Sequence, residues 1–463
     1  MEYISTRGHG PVNFKAALLD GLAPDGGLYL PAKWPHIFTP QLLAELPNLS
    51  WQDIAHKIMT PFVGDFLGAD KLRTLINTAV ASFTHPDITP AVKLENNIWL
   101  MELFHGPTLA FKDVALQMLG LMLDEALSQD GKQVTVLGAT SGDTGSAAIA
   151  GLKDRKNVRI FILFPKGRVS PVQQRQMTTT GADNIFPLAV DGTFDDCQNL
   201  VKAAFNDVTF RAEASLTAVN SISWARLLPQ MVYYAYAWSR LPEKLRPAIS
   251  FSVPTGNFGD VFAGYACKQC GLPFDKLVIA TNRNDILSRF IHNGDYTRSD
   301  VAPTQSPSMD IQIASNFERL LFDATGRDPK HLTYLMRTFA QTGTLPKLSH
   351  GQMKHIREVF GAVAVSEVQT RSAISACFAE QGMLIDPHTA VGIYAAWRLP
   401  NLRPMVALAT AHPAKFPEAV ANATGEVPDL PPHLAGLMGR AEVYDSLPAK
   451  LDDVIGYIRK HKG

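Results

Sequence analysis

Lys112 stands where a lysine can do covalent chemistry. In His105-Gly106-Pro107-Thr108-Leu109-Ala110-Phe111-Lys112-Asp113 it follows an apolar pair and opens the helical pattern Val114-Ala115-Leu116-Gln117-Met118-Leu119. An amine held among apolar side chains loses hydration in its charged form, so its pKa falls and the free amine becomes a Schiff-base nucleophile. The same stretch also reads as an ordinary first-turn lysine snorkelling to water. Taken alone, it favours the ordinary lysine.

Three loops add chemistry. Gly138-Ala139-Thr140-Ser141-Gly142-Asp143-Thr144-Gly145 follows an apolar run and opens a helix, so its amides and hydroxyls converge at a positive helix N-terminus suited to a carboxylate or phosphate. A simple capping turn is the competing reading. Pro254-Thr255-Gly256-Asn257-Phe258-Gly259-Asp260 lies in the same setting, and its two glycines allow a nest of amides around a phosphate, with a plain strand-to-helix turn as the alternative. Thr410-Ala411-His412-Pro413-Ala414-Lys415-Phe416 follows the last apolar run. Its Thr410 hydroxyl can meet a ring nitrogen, while His412 also reads as a core histidine and Lys415 as an exposed first-turn residue. Two anion-type loops point to a ligand with two anionic groups. The absence of GK[ST] and of GxGxxG argues against ATP and dinucleotides.

The elements that must carry these loops follow from the apolar pattern. Short apolar runs at 133–137, 158–164, 185–190, 249–253, 277–280 and 405–409 alternate with helical stretches, which predicts parallel βαβ units. Open α/β sheets bind ligands outside the carboxyl ends of their strands, where all three loops fall. One long aromatic helix is expected over 224–240, a functional loop over 293–316, and a helix over 451–461. Three units are expected, an N-terminal unit at 1–95, a βαβ-patterned core at 96–425 and a helical tail at 426–463, and the family resemblance described below implies that the core is catalytic and built of two α/β lobes.

Composition excludes several classes. The 463 residues carry 43 basic and 43 acidic side chains, so nothing favours nucleic acid or an anionic membrane. No apolar segment is long enough to span a bilayer, and Met1-Glu2-Tyr3-Ile4-Ser5-Thr6-Arg7 does not read as a secretory signal. Four cysteines in so long a chain make no disulfide framework, which suits a cytoplasmic setting. Cys267 and Cys270 have CxxC spacing but no second ligand pair, so they read as buried helix residues and no metal site is expected.

The segments 105–113, 141–145, 256–260 and 410–416, in this order, resemble the threonine synthase family of bacterial and fungal type. Asp25-Gly26-Gly27-Leu28 and Leu49-Ser50-Trp51 extend the resemblance over nearly the whole chain. The resemblance implies an α/β protein of pyridoxal-phosphate fold type II (tryptophan-synthase-β-like), with two parallel or mixed-sheet lobes, helices on both faces and an N-terminal unit. It implies that Lys112 binds pyridoxal 5'-phosphate covalently and then shuttles protons. Gly256, Asn257, Phe258 and Asp260 would cradle the cofactor phosphate, and Thr410 would face the pyridine nitrogen. Ser141, Gly142, Asp143, Thr144 and Gly145 would lie at the substrate carboxylate, although Asp143 stands where many relatives in the wider fold carry Asn. Lys166, Arg168 and Arg226 are candidates for the substrate phosphate, Arg through its planar fork, with solvated or structural cations as the alternative. The implied substrate is O-phosphohomoserine and the implied product threonine, made by a monomer or homodimer. A phospholyase of the same fold releasing a keto acid, and a non-catalytic binding protein, are the competing functions.

Overall fold

Two sheets carry the loops just described. The structure, a computed structural model, describes residues 1–218, 221–402 and 404–461. The larger sheet has the order Phe360–Ala364, Leu277–Thr281, Ser250–Pro254, Met405–Ala409, Ile98–Glu102, Ala91–Lys93. Its pairings are parallel except for Ala91–Lys93, which runs antiparallel to Ile98–Glu102. The smaller sheet is parallel throughout, in the order Asp445–Pro448, Ile185–Asp191, Val158–Pro165, Val134–Ala139, Leu216–Thr217. Ser250–Pro254, Leu277–Thr281 and Met405–Ala409 are buried at every position, as strands covered on both faces must be.

The lysine helix, Lys112–Asp130, and the helix Asp143–Leu152 lie against each other backbone to backbone. A Cβ on Gly120 would lie 2.1 Å from the Gly151 carbonyl oxygen, and one on Gly151 would lie 2.3 Å from that of Leu116. Only glycine permits this approach. Lys112 and Asp143 are the first residues of their helices, so the close packing brings them together.

Two expectations need correction. The aromatic stretch is not one helix: Trp224–Leu227 ends before Pro229, and Gln230–Arg240 begins after it. A proline inside a helix removes an N–H and clashes with the preceding turn. The tail is not purely helical, because Asp445–Pro448 adds an edge strand to the smaller sheet before the helix Leu451–Lys460. An Asp-Ser-Leu-Pro strand carries no alternating apolar signal, and its proline is tolerated at an edge. Val454, Ile455 and Ile458 then pack with Leu137, Phe161 and Leu163 of the smaller sheet.

At the N-terminus, Tyr3–Ser5 pairs with Tyr29–Pro31, and Ser50 caps Trp51–Val63 in a reciprocal box with Asp53. The Thr6 hydroxyl and the Arg7 guanidinium both donate to Glu318, and buried Arg319 donates to the Tyr29 carbonyl. Cys267 and Cys270 are buried, and the Cys267 thiol donates to the Met231 carbonyl. Among the described residues, no helix is long and apolar enough to cross a membrane.

Candidate active site

Lys112 reaches its place through a tightly tied loop. Asp113 accepts from the Thr108 amide at 2.8 Å and from its hydroxyl at 2.6 Å, closing the turn that leads into the helix. Gly106 must be glycine, since a Cβ there would lie 2.5 Å from the Asp113 Cβ. The loop is stitched to the end of Met405–Ala409: the Phe111 amide donates to the Thr410 carbonyl and the His412 amide to that of Leu109. Lys112 and Thr410 are therefore held side by side by backbone bonds between residues far apart in the chain. Lys112 is buried, and desolvation pulls its amine below the ordinary lysine range despite the nearby Asp143.

Asp143 is the hub of the polar contacts. Its Oδ2 lies 3.1 Å from the Lys112 amine and accepts from the Ser308 hydroxyl at 3.1 Å. Its Oδ1 lies 2.8 Å from the Lys415 amine and accepts from the Gln173 amide nitrogen at 2.9 Å. Burial alone would raise this carboxyl, but the two lysines hold it well below the carboxylate range.

Lys112, Asp143, Thr144, Arg226, Gly256, Asn257, Phe258, Asp260 and Thr410 all line one cavity. Phe258 has a left-handed φ of 65° and bends the chain into the helix Gly259–Gln269, while its ring packs on Phe317 and Phe360. Asn316 clamps the loop by donating to the Asn257 carbonyl. Among the described residues, the amides of Gly256, Asn257, Phe258 and Gly259 donate to no protein group. Unfilled donors at a helix N-terminus are an anion seat. A Cβ on Gly256 would lie 3.0 Å from the Ser308 carbonyl, so a side chain there would crowd the seat. Arg226 is buried, its Nη1 has no hydrogen-bond partner among the described residues, and desolvation pushes its guanidinium down to about 10. A buried cation without a carboxylate requires an anion from outside the chain.

The remaining expected residues lie elsewhere. In 141–145 only Asp143 and Thr144 reach the cavity. The amides of Gly142 and Gly145 are taken by the Thr140 hydroxyl at 2.9 and 2.8 Å, and Ser141 is exposed, while among the described residues the amides of Ser141, Asp143 and Thr144 donate to no protein group. Lys166 and Arg168 sit exposed outside the cavity, Lys166 paired with Asp191 at 3.3 Å. Lys415, for which an exposed first-turn position is one of the readings above, is fully buried.

Sequence reasoning missed Ser308 and His388. The loop 293–316 was legible as a functional segment, but nothing in it singles out Ser308. His388 opens the helix Pro387–Arg398, with its Nδ1 2.6 Å from Asp386 and its Nε2 accepting from the Ser308 amide at 3.2 Å. An Asp-Pro-His helix start was the available signal.

A nucleophilic amine facing an anion seat in a two-sheet α/β core is the arrangement a covalently bound, phosphate-bearing aldehyde cofactor needs. Residues 83–334 match the family described as "Pyridoxal-phosphate dependent enzyme", so the chain is a pyridoxal-phosphate-dependent enzyme of fold type II. Residues 2–80 match "Threonine synthase N terminus" and residues 389–458 match "Threonine synthase, C-terminal". A threonine synthase of Pseudomonas aeruginosa is 48% identical over 100% of this chain and 98% of its own length. The crystal structure of PLP-bound threonine synthase from Brucella melitensis superposes with a TM-score of 0.97 at 50% identity, covering 100% of this chain and 99% of that one. The yeast enzyme superposes with a TM-score of 0.94 at 38% identity, covering 99% and 98%. The chain belongs to the threonine synthase family.

Proposed function

We propose that the chain converts O-phospho-L-homoserine and water into L-threonine and phosphate, with pyridoxal 5'-phosphate as resident cofactor. The observation that carries this is the opening of the buried Lys112 amine into the same cavity as the unbonded amides of Gly256, Asn257, Phe258 and Gly259. Those amides suit the cofactor phosphate, Lys112 its aldehyde, and the Thr410 hydroxyl, which has no partner among the described residues, its ring nitrogen. When bound, the cofactor supplies an electron sink that eases proton loss beside the amino-bearing carbon. A neutral threonine hydroxyl, unlike a carboxylate, does not favour full protonation of the ring, which directs the sink towards elimination and replacement.

Lys112, as a free amine, takes the proton from Cα of the substrate. A second proton leaves Cβ, the Cγ–O bond breaks with phosphate as leaving group, and Cγ takes up a proton. The hydroxyl of water joins Cβ, and Lys112 returns a proton to Cα. Arg226 is assigned to the departing phosphate, because it lines the cavity and its Nη1 has no hydrogen-bond partner among the described residues. Asp143 and Thr144 are assigned to the substrate's amino-acid end, Thr144 by its hydroxyl at the helix start. Lys166 and Arg168 drop out of the assignment. The reading extends to a cytoplasmic enzyme acting as a monomer or homodimer, and four unpaired, buried cysteines accord with a reducing compartment.

The test is an absorbance spectrum of the purified protein before and after borohydride, with Lys112→Ala beside it. A visible band that borohydride removes and the variant lacks is expected, with turnover in the variant reduced by about 10³-fold or more. Phosphohomoserine is expected to yield threonine and phosphate in equal amounts. A keto acid instead of threonine would move the assignment to a phospholyase of the same fold, and a protein that gains no band with added pyridoxal phosphate would sink it.

A further inference from the structure

Asp143 lies between two buried lysines. Lys415 is fully buried, with its amine 2.8 Å from Asp143 Oδ1 and donating to the Thr108 carbonyl at 2.7 Å. Lys112 reaches the other oxygen at the longer distance of 3.1 Å and borders the cavity. One carboxylate brings one negative charge, so in a site shielded from water it neutralises one ammonium and not two. The other charges around Lys112 do not supply a second anion at contact distance. Arg226 adds positive potential, and Asp260 and His388 act only through space. The shorter contact and the second acceptor make Lys415 the better-placed partner of Asp143.

We propose that Lys415 is a positioning residue that claims Asp143 as its counter-ion and thereby leaves the Lys112 amine uncharged. The inference rests on the assignment of Lys112 made above. An ammonium at Lys112 can neither attack an aldehyde nor take a proton from Cα, whereas a free amine does both. If Asp143 belonged to Lys112 alone, the pair would hold that proton in place. Lys415 removes this trap without touching cofactor or substrate. It also keeps Asp143 charge-compensated whenever the Lys112 nitrogen is engaged elsewhere.

The test uses the full-length protein freed of cofactor. Pyridoxal phosphate is added across pH 6 to 10, the adduct is trapped with borohydride, and its position is mapped to Lys112. The rate of trapping against pH reports the protonation of that one amine, independently of turnover. Lys415→Met is expected to raise the inflection by about one pH unit, a loss of about tenfold in rate at neutral pH. Lys415→Arg keeps the charge and is expected to stay near the wild type. The double variant Asp143→Asn with Lys415→Met removes cation and counter-ion together and is expected to lie within about half a pH unit of the wild type. It serves alone if Lys415→Met does not fold. A drop of more than about one unit in the double variant would mean that Asp143 had served Lys112 all along, and would overturn the proposal. So would a Lys415→Met profile that superimposes on the wild type, or a Lys415→Arg shift as large as that of methionine. A wild-type protein that forms no adduct on Lys112 overturns the functional assignment as well, which distinguishes the two failures.

Discussion

Asp260 sits in the first turn of Gly259–Gln269, directly after the loop assigned to a phosphate, where a second negative charge is unwelcome. Burial pushes its carboxyl up from 3.8 to about 6, although the Tyr233 and Tyr234 hydroxyls donate to its Oδ1 at 2.5 and 2.9 Å. Its Oδ2 has no partner among the described residues. Between those two values the native protein holds a proton that the unfolded chain has released, so unfolding free energy falls as pH rises through this window. The loss reaches about 3 kcal/mol above it. Asp260→Asn is therefore expected to stabilise the cofactor-free protein by up to about 3 kcal/mol at pH 7 and hardly at all at pH 4, read from urea unfolding at both values. An equal gain at both would show that ionisation is not the cause. At this scale the sequence was informative where chemistry is local. Lys112 with its apolar approach and Gly256 with its loop could be found by inspection. Tyr233 and Tyr234 are core residues, and nothing local announces that their hydroxyls serve Asp260. Lys415 was misplaced for the same reason: its burial depends on Thr108 and Asp143, both remote in sequence.

Elements repeat this division between local and distant causes. The strand Met405–Ala409 and the Ser50–Asp53 helix start were legible because an apolar run or a capping box is written in consecutive residues. Ile98–Glu102 and Phe360–Ala364 were not singled out, since strands of this length with a Trp-Leu-Met or Phe-Gly-Ala core are as compatible with buried helix. At 141–145 the sequence does not show that the Thr140 hydroxyl takes the two glycine amides and leaves those of Ser141, Asp143 and Thr144. Contact between the helices Lys112–Asp130 and Asp143–Leu152 leads to a prediction. Gly120→Ala must push the Gly151 carbonyl away and is expected to destabilise the protein by about 1 to 3 kcal/mol. Because the same displacement separates Lys112 from Asp143, kcat is expected to fall with Tm. A loss of stability with unchanged kcat would mean that the first turns of the two helices move together.

For the whole molecule, the expectation of parallel βαβ units drew on runs spaced along the chain and that of two lobes on the family resemblance, while strand order was beyond reach because neighbours such as Met405–Ala409 and Ile98–Glu102 are set by packing. The edge strand Asp445–Pro448 escaped for lack of any apolar period. Truncation after Arg440 removes that strand and uncovers Leu137, Phe161 and Leu163, which pack with Val454, Ile455 and Ile458. Losing three buried aliphatic side chains is expected to destabilise the smaller lobe by about 5 kcal/mol, seen as a lower melting temperature and earlier aggregation. An unchanged melt would show that the lobe does not depend on the tail. The position of Met405–Ala409 in the larger sheet has a consequence for biosynthesis. That strand lies between Ile98–Glu102 and Ser250–Pro254 and delivers both Thr410 and Lys415 to the lysine loop. On the ribosome, Lys112 emerges hundreds of residues before the partners that bury it, so it remains an ordinary hydrated lysine during most of translation. The enclosure that desolvates it closes only once residues 410–415 have been made, so cofactor capture at Lys112 belongs to the nearly full-length chain.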